Sequence, residues 1–265
     1  MPHVAVGART LYYERRGSGE PLLLIQGMAG HHGLWGEPFL RALESHFDVV
    51  TYDHRGVGLS ADVQDEDFTI GDLAADAVAL LDGLGWADAH VMGISMGGMV
   101  AQQLVINHED RLRTLVLGCT YCGGPGATLT ATGPMRMLQA MSLGNIDVAL
   151  RTAFAANLSQ GFASSEARYE EFRTATLSVI VPVTVVMRQA RAAFGHNTSA
   201  RLPDVATRTL VLHGSADEMI DPANGAHIVH FMASARLHPL EGAGHLFWWE
   251  QPDATASLVR KHCLA

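Results

Sequence analysis

Short apolar runs ending in turn residues, each followed by a segment with helical spacing, recur along most of this 265-residue chain. No other property restricts the fold so strongly. Leu22 to Ile25, Phe47 to Tyr52, Ala89 to Met92, Thr114 to Leu117, Thr209 to Leu212 and Arg236 to His238 read as strands. Helices are expected around Trp35 to Glu44, Met96 to Asn107, Ala223 to Met232 and Ala254 to His262. The clearest helix lies between Thr69 and Gly85. Thr69 can cap it with Asp72 three residues on, Ile70, Leu73, Ala74, Ala77, Leu80, Leu81 and Leu84 share one face, and Gly85 ends it. Strands that alternate with helices need crossover connections, which build a mostly parallel sheet covered on both faces. The fold class is therefore α/β, with an amino-terminal hairpin expected from Val4 to Val6 and Leu11 to Glu14.

The alternation fails between Thr120 and Pro203. A strand-free stretch of this length is too long for an ordinary loop and reads as a helical cap inserted in the sheet domain. The expected division is a core of residues 1–119 and 204–265 and a cap of residues 120–203. Cap helices are expected near Met135 to Leu143, Ile146 to Ala156 and Glu166 to Thr174. Val179 to Val186 reads as strand by its β-branched content and as helix by its place. Met135, Met137, Met141, Phe154, Phe162 and Phe194 supply either an apolar roof over a site or the cap's own core.

With 48% hydrophobic and 17% charged residues the chain is a folding one. A net charge of −9 without a basic cluster excludes nucleic acid as an expected partner. The longest β-branched apolar stretch, Val179 to Met187, is broken by Pro182 and Thr184 and is far shorter than a membrane span. Met1 to Gly7 lacks the charged and apolar regions of a secretory signal, so a cytoplasmic location is expected. Cys119, Cys122 and Cys263 form an odd set that reads as reduced thiols; Cys119 and Cys122 lack the second pair or nearby histidine of a zinc site.

Chemistry concentrates at Gly93-Ile94-Ser95-Met96-Gly97, a G-x-S-x-G placed after an expected strand and before an expected helix. That context puts a serine on a tight strand-to-helix turn at the sheet's carboxyl edge, where the first helical N–H groups face a developing negative charge. A serine hydroxyl needs a base, and the base an orienting acid. Asp217 follows the strand ending at Leu212, with Glu218 and Asp221 as neighbouring alternatives, and His245 follows the next strand. Both lie on loops at the edge where open α/β sheets place their sites.

On these residues the chain resembles the α/β-hydrolase superfamily, in its esterase, enol-lactonase and cofactor-free haloperoxidase branch. The likeness also rests on Asp53-His54-Arg55-Gly56-Val57-Gly58-Leu59-Ser60 (D-x-R-G-x-G-x-S), on Gly214 to Pro222 (G-x-x-D-x-x-x-x-P) and on Gly244 to Pro252 (G-H-x-x-x-x-E-x-P). It covers the chain outside the cap. The resemblance implies Ser95 as nucleophile, His245 as general base and acid, Asp217 as orienting acid, and the N–H groups of Met96 and Met28 as the oxyanion hole. Gln26 departs from the family's histidine before Gly27, but its amide can still donate hydrogen bonds. Ile94 departs from the commoner histidine before the nucleophile. Some relatives carry the acid after the strand that follows the nucleophile helix, where this chain reads Gly118-Cys119-Thr120.

Gly56 to Ala61 also matches G-x-G-x-x-A, but the acidic run Asp62 to Asp67 would repel a pyrophosphate and lacks EF-hand spacing. No cofactor and no metal are expected. The resulting expectation is a Ser-His-Asp hydrolase acting on an ester or lactone of a small, largely apolar molecule. Carbon–carbon bond hydrolysis, perhydrolase or haloperoxidase chemistry, and a slow-turnover receptor are the alternatives, and homo-oligomer formation stays open.

Overall fold

The computed structural model describes residues 2–7, 9–60, 67–128, 130–179 and 181–265. Its elements follow the chain as β1 (His3–Val6), β2 (Arg9–Gly17), β3 (Glu20–Ile25), α1 (Glu37–Glu44), β4 (Phe47–Tyr52), α2 (Ile70–Leu84), β5 (Ala89–Ile94), α3 (Met96–Asn107) and β6 (Leu112–Gly118). Five helices come next: α4 (Gly133–Ser142), α5 (Ile146–Asn157), α6 (Gln160–Ala163), α7 (Glu166–Leu177) and α8 (Val183–Phe194). The sheet then resumes with β7 (Thr209–Gly214), α9 (Ala223–Phe231), β8 (Ala235–Leu240), α10 (Phe247–Glu250) and α11 (Pro252–Cys263).

The eight strands order as β1-β2-β4-β3-β5-β6-β7-β8. The first two pairings are antiparallel and the others parallel. Alternate strand residues feed two cores. Leu23, Ile25, Val91, Leu115, Leu117 and Val211 pack with α2, α3 and α9, while Leu22, Leu24, Met92, Val116, Leu210 and Leu212 pack with α1, α10 and α11. Burial on both faces explains why these strands read as unbroken apolar runs. The expected capping box is present: Thr69 Oγ1 accepts from Asp72 N, Asp72 accepts from Thr69 N, and Gly85 closes α2 at φ 73°.

The inserted helices have a core of their own in Leu150, Phe154, Leu158, Tyr169 and Phe172. Of the six apolar residues left open between a roof and the cap's own core, Phe154 and Phe162 go to the core. Met135, in contrast, is 69% and Phe194 92% exposed. Val183 to Val186 are helical, forming the first turn of α8 after Pro182 as N-cap, so position and not β-branched content decides this segment. The acidic run from Asp62 lies outside the described residues except for Asp67.

The D-x-R-G-x-G-x-S turn is a buttress. Asp53, fully buried, accepts from His32 N (2.7 Å), His32 Nδ1 (2.9 Å) and Leu59 N (3.1 Å). Ser60 Oγ donates to Asp53 O at 2.6 Å, and buried His54 donates through Nε2 to Gln26 O at 3.0 Å. Arg55 forks onto Asp76 of α2 through two bonds of 2.7 Å. Both partners are buried, so removing one strands the other charge. Arg55→Met is expected to cost about 3–5 kcal/mol of unfolding free energy, read as a lower urea midpoint at neutral pH; an unchanged midpoint would refute the buttress.

Candidate active site

Among the described residues only Ala29, Ser95 and Cys119 are non-glycines with positive φ, at 58°, 53° and 40°. They stand just past the carboxyl ends of β3, β5 and β6, three neighbouring strands. Strain of this kind costs about 1–3 kcal/mol per residue and gathers where function requires it. Ser95 is held in its turn by Ser95 N to Gly118 O (2.8 Å) and by Thr120 Oγ1 to Ser95 O (2.7 Å). A Cβ on Gly97 would lie 2.2 Å from Ile25 O and 2.5 Å from Gln26 O, so only glycine lets the first turn of α3 meet the end of β3.

Asp217 and His245 are brought together. His245 Nδ1 stands 2.8 Å from Asp217 Oδ2, which fixes the proton on Nδ1 and leaves Nε2 as the basic nitrogen. Asp217 Oδ1 accepts from Met219 N (2.8 Å) and Ile220 N (3.0 Å). The alternatives Glu218 and Asp221 turn outward: Glu218 pairs with exposed Arg136, and Asp221 accepts from Ala223 N. Ser95 Oγ has no hydrogen-bond partner among the described residues, His245 included.

The oxyanion-hole expectation can be followed amide by amide. In the loop after β3, Gly27 N donates to Gln26 Oε1 (3.0 Å), Ala29 N to Gln189 Oε1 (2.9 Å) and Gly30 N to Gly27 O (3.1 Å). Met28 N alone of these four has no acceptor. This loop adjoins the serine, since a Cβ on Gly27 would lie 3.5 Å from Ser95 Oγ. Met96 N belongs to the first turn of α3, whose amides lack acceptors within the helix. Gln26, which stands where the family has a histidine, uses its side-chain oxygen on its own loop, and its buried Nε2 has no partner among the described residues.

Two neighbours escaped sequence reasoning. His213 Nε2 faces both Asp217 Oδ2 (3.1 Å) and Ile220 O (3.0 Å), two acceptors that place its proton on that nitrogen. Its position directly before Gly214 was legible, but not the direction of its ring. Cys119 occupies the alternative acid position; its sulfur, an Asp217 oxygen and a His245 nitrogen all lie within 4.8 Å of one another. Those three are the grouping of His, Cys, Asp and Glu among the described residues that offers metal-ligand atoms so close together. The direct bond between Asp217 and His245 already uses two of the ligand atoms. Burial, with the Asp217 charge beside it, pushes the Cys119 thiol well above its usual range and keeps it protonated.

The histidine loop is held from outside the sheet. Glu250, the glutamate of G-H-x-x-x-x-E-x-P, accepts from Gly244 N (2.7 Å) and Ser159 N (2.9 Å), and Leu246 N donates to Asn157 O (2.9 Å). His245 is thereby fixed on both sides. A surface cleft of about 580 Å³ beside Glu14, Arg16, Glu37 and Trp249 contains none of Ser95, Asp217 and His245. No helix among the described residues is long and apolar enough to cross a membrane.

A family model described as alpha/beta hydrolase fold matches residues 20–252. A hydrolase from Pseudomonas aeruginosa PA01 superposes with a TM-score of 0.85 at 27% identity, covering 100% of this chain and 98% of that one. The enol-lactonase from Burkholderia xenovorans LB400 does so with a TM-score of 0.85 at 25% identity, covering 100% of each. RutD of Azorhizobium caulinodans, a protein named for carbamate hydrolysis, is 25% identical over 99% of this chain and 98% of its own.

Burial works to raise the Asp217 pKa, but His245 and His213 outweigh it and hold the carboxyl well below the usual range. An aspartate depressed in the folded state contributes stability that is whole above about pH 4, its unfolded range, and is lost as pH falls through the lower folded value. Urea midpoints on the acid side should therefore fall more steeply for the wild type than for Asp217→Asn. Equal slopes would show that the two histidines do not hold this carboxylate ionised.

Proposed function

The chain belongs to the α/β-hydrolase family, and from that premise we propose that it is a serine hydrolase cleaving a carboxylic ester or lactone of a small, largely apolar molecule. The observation that carries the reading is the 2.8 Å pairing of His245 Nδ1 with buried Asp217, on the same sheet edge as a serine held at positive φ. His245 Nε2 takes the Ser95 proton as Oγ attacks the substrate carbonyl. The tetrahedral oxyanion accepts from the N–H groups of Met96 and Met28. His245 then protonates the leaving oxygen, and the acyl-enzyme forms on Ser95. A water that gives its proton to His245 releases the acid and restores the hydroxyl. Asp217 stays ionised and offsets the imidazolium charge. Gly27, Met28, Met96 and Leu246 around these groups are uncharged, which suits an apolar substrate.

The same attack would open a carbamate carbonyl, and the likeness to RutD makes that the second reading. Both readings use one triad, so they differ in the group beside the carbonyl and not in the residues that act.

Steady-state hydrolysis of p-nitrophenyl esters from acetate to decanoate is the test. Multiple turnover is expected in the wild type, and it should disappear in Ser95→Ala. Turnover that survives in that variant, or none with any ester, would overturn the esterase reading; in the latter case a p-nitrophenyl carbamate becomes the next substrate. Asp217→Asn is expected to lower kcat by about 10⁴-fold, because the histidine loses the acceptor that orients it. A loss below about tenfold would remove Asp217 from its role.

A further inference from the structure

The loop after β3 is fastened to the inserted helices at two points. Ala29 N donates to Gln189 Oε1 of α8 at 2.9 Å, and His31 Nε2 stands 3.1 Å from Ala175 O of α7. His31 Nδ1 accepts from Gly33 N at 3.2 Å, so Nε2 carries the proton and donates to the helix carbonyl. Gln189 is fully buried. Its contact falls on Ala29, whose φ of 58° has no glycine to ease it. The amide before Met28 is held by Gln26 and the amide after it by Gln189. The Met28 N–H shares its peptide plane with Gly27 O, which accepts from Gly30 N at 3.1 Å, so its direction is set by the turn of residues 27–30, and Gln189 holds that turn's other central amide, that of Ala29.

Stability alone does not account for Gln189. Its Nε2 is buried without a partner, a state in which an amide donor forfeits its hydration and receives nothing in return. A methionine of similar length would fill the same space without that cost. The glutamine therefore contributes through its one satisfied atom, the oxygen on Ala29.

We propose that Gln189 is a positioning residue of the oxyanion hole: from the inserted helices it holds the Ala29 amide, and through it the Met28 N–H, in the direction the oxyanion requires. This rests on the serine-hydrolase reading above. The insertion is then part of the catalytic apparatus, and the hole is complete only while α8 is seated on the β3 loop. Substrate binding in the ground state draws little on this contact, because the N–H matters most when charge develops on the oxygen.

The experiment compares the wild type, Gln189→Met and Gln189→Glu on the best p-nitrophenyl ester. A trifluoromethyl ketone of matching acyl group serves as the oxyanion-forming inhibitor, and Ser95→Ala as the control. Gln189→Met should lower kcat by about tenfold or more while KM moves less than about threefold. Ketone affinity should weaken by the same factor as kcat/KM, with Tm unchanged or raised. Gln189→Glu retains an oxygen for Ala29 and should recover a large part of kcat. An effect on KM alone, a kcat loss not mirrored by the ketone, a fall in Tm that accompanies the loss, or equal losses in both variants would overturn the role of Gln189 and leave the hydrolase reading intact. Wild-type inactivity, or activity that survives in Ser95→Ala, would overturn that reading and this proposal with it.

Discussion

The approach of the β3 end to the first turn of α3 is the constraint on which the site depends. At Gly97 the two backbones are so close that a methyl group would sit 2.2 Å from a carbonyl oxygen. This proximity sets the loop that carries the free Met28 amide beside Ser95, since a Cβ on Gly27 would lie 3.5 Å from Ser95 Oγ. It also makes the strain at Ala29, Ser95 and Cys119 a shared property of three adjacent strand ends. Such conformations persist only where the surroundings over-determine them. Here the surroundings are two continuous cores beneath the sheet edge and a ring of hydrogen bonds above it.

Much of this was legible in the sequence because it depends on local pattern. The strands from Leu22 to His238 and the helix after Thr69 follow from apolar runs, helical spacing and capping chemistry, and the structure extends them by a few residues at most. The pairing of Asp217 with His245 was anticipated from the family likeness of the two loops, while position alone left Glu218 and Asp221 open. What escaped depends on contacts between residues far apart in the chain. Gln189 and Ala29 are 160 positions apart, and nothing in either neighbourhood announces the other. What Gln26 does in its loop was not legible either, because a side chain on a tight loop can fold back onto the next amide. Val183 to Val186 carried a strand-like composition, yet they form the start of α8, as their place among the inserted helices suggested. Met135, Met141 and Phe194 were left open between a roof and the cap's own core, and they are exposed, because apolar content does not say which way a helix turns its faces.

Residues quoted for the family likeness divide by what they hold. Ser95, Asp217 and His245 lie past the carboxyl ends of strands at one sheet edge, where Asp217 and His245 are in direct contact. Asp53 instead holds His32 after the loop that carries Met28, Ser60 holds Asp53, and Arg55 ties the turn to α2. His213 belongs between these groups, sharing an oxygen of Asp217 with His245. A carboxylate that receives hydrogen bonds from two backbone amides and two imidazoles has little freedom to rotate, so the ring of His245 is aimed by its partner as well as by its own loop.

Glu250 lies in the sheet domain's histidine loop, and its carboxylate is divided between Gly244 of that loop and Ser159 at the entrance to α6. Asn157 adds a backbone contact on the other flank of the histidine. The insertion is therefore not a freely exchangeable module. A chimera that grafts a relative's helices between β6 and β7 inherits a foreign partner for Glu250, and with it a displaced base. Transplanting substrate preference within such a framework requires that the graft carry its own match to residues 244–250.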